Sequence, residues 1–122
     1  MKRIVIDLDD TLCRSGSRYA DAEPNRAVIE KLKQLQTEGY EVVVFTSRNM
    51  RTYGGNLGKI NLHTLPTILE WLRKNGVTPD ELLVGKPWCG EEGFYVDDRA
   101  IRPDEFVQLD LDQIRSRLKI GK

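Results

Sequence analysis

Arg3-Ile4-Val5-Ile6-Asp7-Leu8-Asp9-Asp10-Thr11 opens on β-branched residues and closes on three carboxylates within four positions. The apolar run over 3–8 is continuous rather than alternating, so it reads as a short strand buried on both faces. Carboxylates this close repel one another. The stretch therefore calls for a cation, a catalytic use, or plain solvent exposure.

Working outward, the same grammar recurs. Pro24 suits the first turn of a helix; Val28, Ile29, Leu32 and Leu35 follow at helical spacing, and Gly39 marks its end. Residues 41–46 (Glu-Val-Val-Val-Phe-Thr) read as a second buried strand. Residues 12–23, with Gly16 and two serines, read as a loop or small flap, and 47–62 as a polar loop holding Gly54, Gly55 and Gly58. Thr64-Leu65-Pro66 starts another helix that ends at Gly76. Residues 81–84 read as a third strand, 93–97 as a fourth and 106–109 as a short fifth; Leu111, Ile114 and Leu118 mark a last helix. Short apolar strands alternating with helices predict an α/β fold: a three-layer, Rossmann-like parallel sheet with helices on both faces.

Ligands of such sheets bind outside the carboxyl ends of the strands. Those ends carry Asp7 and Asp9, then Thr46 and Ser47, then Gly85 and Lys86, then Asp97 and Asp98. Several carboxylates in one crevice need a cation. Oxygen-only donors, without His or Cys partners, point to a hard metal, foremost Mg²⁺. Lys86 adds a fixed positive charge and Thr46 a hydroxyl, which together suit a phosphate. A carboxylate beside a bound phosphate can attack it, and a second one two residues on can move protons.

Asp7-Leu8-Asp9-Asp10-Thr11, Thr46 after Val-Val-Val-Phe, Lys86 in Gly-Lys-Pro, and Asp97-Asp98 after Phe-Tyr-Val resemble the four motifs of the haloacid dehalogenase superfamily, in the family's order. The stretch from Gly85-Lys86-Pro87-Trp88 to Arg102-Pro103 further resembles a small subfamily of phosphatase-like proteins linked to capsular polysaccharide biosynthesis. The resemblance implies Asp7 as nucleophile and Mg²⁺ ligand. It implies Asp9 as the acid that protonates the leaving alcohol and then activates water, with its main-chain carbonyl on the metal. Thr46 would hold a phosphoryl oxygen, Lys86 would neutralise Asp7 and the phosphate, and Asp97, with Asp98, would complete the metal site. Asp10 is expected to point away and support the turn.

Neither the 11–46 nor the 86–97 interval has room for an extra cap domain, so residues 1–122 read as one capless catalytic domain. Its site would be open, or covered by a second subunit of a homo-oligomer. Substrate choice then falls to the 47–63 loop, where Ser47, Arg48, Asn56 and Lys59 are candidate substrate-binding residues for a sugar or a second anionic group. The expected partner is a small phosphorylated substrate, a sugar phosphate first. A nucleotide or polynucleotide-end phosphatase, or a non-catalytic phospholigand-binding or scaffold domain, are the alternatives. The intact Asp7–Asp9 pair argues against the scaffold. A receiver domain is set aside because its phosphoacceptor does not sit in D-x-D-x-T on the first strand.

The composition is ordinary for a soluble globular protein. Lys plus Arg and Asp plus Glu each number 19, and this balance argues against a protein built mainly to coat nucleic acid or an anionic membrane, while leaving room for a local basic patch. No stretch approaches the ~20 apolar residues of a membrane span. There is no signal-like segment, and Cys13 and Cys89 form no C-x-x-C pair. A cytoplasmic protein with reduced thiols is expected. Cys13, Trp71 and Trp88 read as packing residues, and His63 as a loop residue.

Overall fold

The computed structural model describes residues 1–15 and 18–121. Gly16 and Ser17 of the expected flap lie outside the described residues. The chain forms two compact units, Met1–Trp88 and Cys89–Lys122.

The first unit is an α/β fold on a parallel three-stranded sheet of order β1-β2-β3: β1 is Arg3–Ile6, β2 Glu41–Phe45 and β3 Glu81–Leu83. Ile6 lies opposite Val44, and Phe45 opposite Leu83. β-branched residues fill the centre because both faces of β2 are covered; Val42, Val43 and Val44 are all buried.

Helix α1 (Arg26–Thr37) starts where Asn25 accepts the Val28 N–H, and it buries the four apolar residues Val28, Ile29, Leu32 and Leu35. Gly39, at φ +95°, lets the chain turn back into β2. A 3₁₀ turn over Tyr19–Asp21 precedes α1. The Trp71 indole N–H donates to the Ala22 carbonyl at 2.8 Å. Arg26, at the start of α1, donates to the main-chain carbonyl and side-chain oxygen of Asn75, just past the other long helix.

That second helix begins earlier than the sequence suggests. It starts at α2 (Leu57–Lys59), capped by the Asn56 side chain, passes through a wide π turn over Ile60–Thr64, and continues as α3 (Leu65–Lys74). Pro66, taken as a helix start, lies inside this run. Proline has no N–H to return and its ring crowds the carbonyl four residues back. The π turn just before it absorbs both defects. Ile60, Ile68, Trp71 and Leu72 are buried along this helix.

The second unit corrects two expectations. Residues 93–97 lie in no strand. Residues 106–109 are not a strand either: Phe106–Gln108 ends α4 (Pro103–Gln108). Proline at the first helical position, Asp104 and Glu105 in the first turn, and the Glu105 carboxylate accepting the Arg102 N–H at 3.0 Å specify a helix start. Helix α5 (Leu111–Arg117) follows, with Asp110 and Gln113 capping reciprocally. No helix among the described residues is long and apolar enough to cross a membrane.

Candidate active site

Asp7 leaves the carboxyl end of β1, and the chain turns at once. The Leu8 carbonyl accepts the N–H groups of Thr11, Leu12 and Cys13, with Leu8 and Leu12 fully buried beneath the turn. Asp10 takes φ +61°, tolerable for aspartate, and accepts the Ser15 N–H at 3.1 Å. Asp10 thus supports the turn, while Asp7 and Asp9 go elsewhere.

The ends of β2 and β3 are laced together beyond the sheet. Thr46 N–H donates to the Leu83 carbonyl at 3.0 Å, and Lys86 N–H donates to the Thr46 carbonyl at 3.1 Å. Gly85 makes this approach possible. It holds φ +87°, and a Cβ there would lie 2.7 Å from a methyl of Leu57. The lacing brings Lys86 Nζ to 3.8 Å from Asp7 Oδ1. Burial pushes the Asp7 carboxyl above its ordinary value of 3.8; Lys86 and the Leu8 backbone pull it down, and the Asp9 and Asp10 charges add to the rise.

Asp9 has a different partner. Arg48 grips it with two nitrogens, NH2 at 2.7 Å and Nε at 3.1 Å, the planar fork that suits a carboxylate. Only 2% of the Arg48 side chain is exposed, against 28% for Asp9. Its guanidinium lies over the Tyr19 ring, 4.0 Å from the centroid. NH1, the third nitrogen, is buried without a hydrogen-bond partner among the described residues. Arg48 N–H also donates to Thr46 Oγ1 at 3.0 Å. Burial, then the Asp9 charge, pushes the Cys13 thiol beside this pair up to about 11.

Asp7, Asp9, Thr46 and Lys86, the four residues expected to carry the chemistry, are therefore gathered at three strand ends. Arg48 was expected to face substrate; it is buried and committed to Asp9. Ser47 is half-buried beside Thr46. Asn56 caps α2 with its side chain, and Lys59 is exposed on that helix. The Arg48–Asp9 pair and its Tyr19 cover are what the sequence reading missed; the placing of Arg48 two residues past Thr46 was the available signal. A concavity of about 400 Å³ against α3, lined in part by Ala20, Pro66, Glu70 and Trp71, contains none of these groups.

Asp97 and Asp98 belong to the second unit, where Asp97 accepts the Arg99 N–H at 2.9 Å. Among the described residues no group of three or more His, Cys, Asp or Glu side chains able to hold a metal is assembled. The expected set of Asp7, Asp9, Asp97 and Asp98 draws two members from each unit. The donors at the end of β1 still fit Mg²⁺, which takes one or two carboxylates and fills its shell with water and phosphate oxygens. Burial leads the rise of the Asp7 carboxyl, and a cation bound there would oppose it as Lys86 does.

A family model described as haloacid dehalogenase-like hydrolase matches residues 4–77, the span that carries β1, β2 and the Asp7–Asp9 turn. The chain belongs to the haloacid dehalogenase-like hydrolases. A crystal structure of a target protein from Vibrio cholerae is 52% identical, with a TM-score of 0.95 over 98% of each chain. That match covers residues of both units and supports the haloacid dehalogenase-like Rossmann fold. No curated protein matches the chain.

Proposed function

We propose that this hydrolase is a Mg²⁺-dependent phosphomonoesterase that acts through an aspartyl-phosphate on a small phosphorylated metabolite, a sugar phosphate of capsule or polysaccharide synthesis first. One observation carries the reading: Asp7 faces Lys86 at 3.8 Å, and Asp9 stands two residues on, fixed by its own arginine. Family membership supports hydrolysis; the phosphate and sugar assignments rest on the donor set and on the motif resemblance.

In the first step an Asp7 oxygen attacks phosphorus, and the bond from phosphorus to the ester oxygen breaks. Asp9 gives its proton to the departing alkoxide. In the second step Asp9 takes a proton from water as that water attacks phosphorus, and Asp7 is released with inorganic phosphate. Lys86 offsets negative charge on Asp7 and on the phosphoryl oxygens. Mg²⁺, held by Asp7 and the Asp9 carbonyl, would supply further charge at the same oxygens. Arg48 is a positioning residue: both Asp9 oxygens accept from it, so Asp9 must free one of them to carry a proton.

Phosphate release from sugar phosphates, nucleotides and an aryl phosphate tests the reading. It should require Mg²⁺, stop with EDTA, and be lost in Asp7→Asn and Asp9→Asn. A folded, Mg²⁺-loaded protein that releases phosphate from none of them would overturn it.

A further inference from the structure

We propose that the phosphatase site read above is completed in trans: Phe94–Val96 of one chain adds as a strand along β1 of a second copy and delivers Asp97 and Asp98 to that copy's Asp7. The inference rests on the functional reading for what those carboxylates do, and on separate observations for where they go.

The first observation is the sheet edge. β1 pairs with β2 alone among the described strands, so its other edge is a row of main-chain donors and acceptors. Val5, opposite the buried Val43, is 60% exposed, and Leu83, on the same face by register, is 45% exposed. An apolar β1 with one free edge is half of a sheet contact.

The second is the occupant. Phe94, Tyr95 and Val96 are consecutive strand-formers outside any helix or strand, and they are 79%, 52% and 88% exposed. Asp97 and Asp98 follow directly. If this segment runs parallel to β1 with Val96 opposite Ile6, strands about 4.8 Å apart bring Asp97 beside Asp7. Asp97 and Asp98 would then stand with Asp7 and Asp9 at one strand end.

The third is the connection. β3 ends at Leu83, so residues 84–93, ten in all, lead to Phe94 with no helix among them. A return within the same chain would cross β2 and β1, about 14 Å at strand spacing, and still travel back down the sheet. Parallel crossovers ordinarily take a dozen or more residues, mostly with a helix. A second copy removes that restriction, and reciprocal exchange closes the β1 edge of both.

Two experiments decide this. Val5→Cys with Tyr95→Cys, in a Cys13→Ala, Cys89→Ser background, should give a disulfide-linked dimer on non-reducing gels, and the wild-type chain should sediment as a dimer. An intramolecular disulfide, no disulfide, or a wild-type monomer would each overturn the exchange. These readouts need no activity, so a dimer from an inert protein would support the exchange and remove the functional reading. Where the wild type is active, Asp7→Asn and Asp97→Asn/Asp98→Asn chains, each dead alone, are unfolded and refolded together. About a quarter of wild-type activity should return, because one body–arm pairing in four is intact. No recovery would overturn the proposal.

Discussion

Replacing Asp9 by asparagine should cost more stability than an ordinary carboxylate at a strand end. Arg48 is 2% exposed, directs two nitrogens at Asp9 and leaves the third without a partner. Removing one member of a buried pair costs about 3–5 kcal/mol, because the other charge stays behind uncompensated. Asp9 keeps 28% of its side chain exposed, and an asparagine carbonyl would retain one neutral bond. Both reduce the cost to about 2–3 kcal/mol. For a chain this size that is a fall in Tm of about 8–12 °C.

Thermal and urea melts followed by circular dichroism measure it. The companion is Arg48→Met, which keeps the stem's packing and removes the charge. In the double variant Asp9→Asn/Arg48→Met the loss should be smaller than the sum of the singles by about 2 kcal/mol, since no orphaned charge remains. A Tm within about 2 °C of wild type for Asp9→Asn, or additive singles, would show a water-screened surface contact and refute the reasoning. The result bears on function too: activity lost in Asp9→Asn counts as chemistry only when assayed well below its lowered melting point.

Asp7→Asn should go the other way. Burial raises the folded-state pKa of Asp7, so its contribution to stability is full below the ordinary 3.8 and is lost as pH rises through the folded value. Asp7→Asn should therefore melt higher than wild type at pH 7 in metal-free buffer, with the gain vanishing below pH 3.8; an unchanged or lower Tm at pH 7 would contradict this. Gly85→Ala meets both a left-handed backbone and the Leu57 methyl 2.7 Å away, and should lose about 1–3 kcal/mol. Adding Leu57→Ala should relieve the methyl clash but not the backbone strain; no effect of Gly85→Ala in urea melts would remove Gly85 from the lacing of β3 to Thr46.

The three strands and α1 were legible because each depends on its own residues: β-branched runs for β1 and β2, and Val28, Ile29, Leu32 and Leu35 on one stripe of α1. Asp7, Asp9, Thr46 and Lys86 were legible because each directly follows a strand, so topology alone collects them. The misreadings share a cause. Pro66 punctuates a helix only when no π turn precedes it. Phe106-Val107-Gln108-Leu109 has strand composition, but Pro103 and two acids upstream fix a helix. Phe94–Val96 has strand propensity, and propensity does not supply a neighbouring strand. The Arg48–Asp9 pair needed the geometry of two turns on different strands, which no periodicity encodes.

That pair also changes the explanation of the crowded carboxylates. The sequence suggests that Mg²⁺ and Lys86 together neutralise them. In the structure the three charges are divided: Asp10 accepts the Ser15 N–H, Asp9 is held by Arg48, and Asp7 has Lys86 at 3.8 Å. Two of the three are satisfied by the chain at close range, so the turn needs no ion to hold its shape. The Asp7 carboxyl is raised, by burial first, with Lys86 opposing the rise. Under the proposed function, that carboxylate is where a cation would bind, with Lys86 beside it at 3.8 Å to meet a phosphate. The crowding is thus divided among separate partners: Asp9 and Asp10 are held by the chain, and Asp7, proposed as the nucleophile, is left facing Lys86.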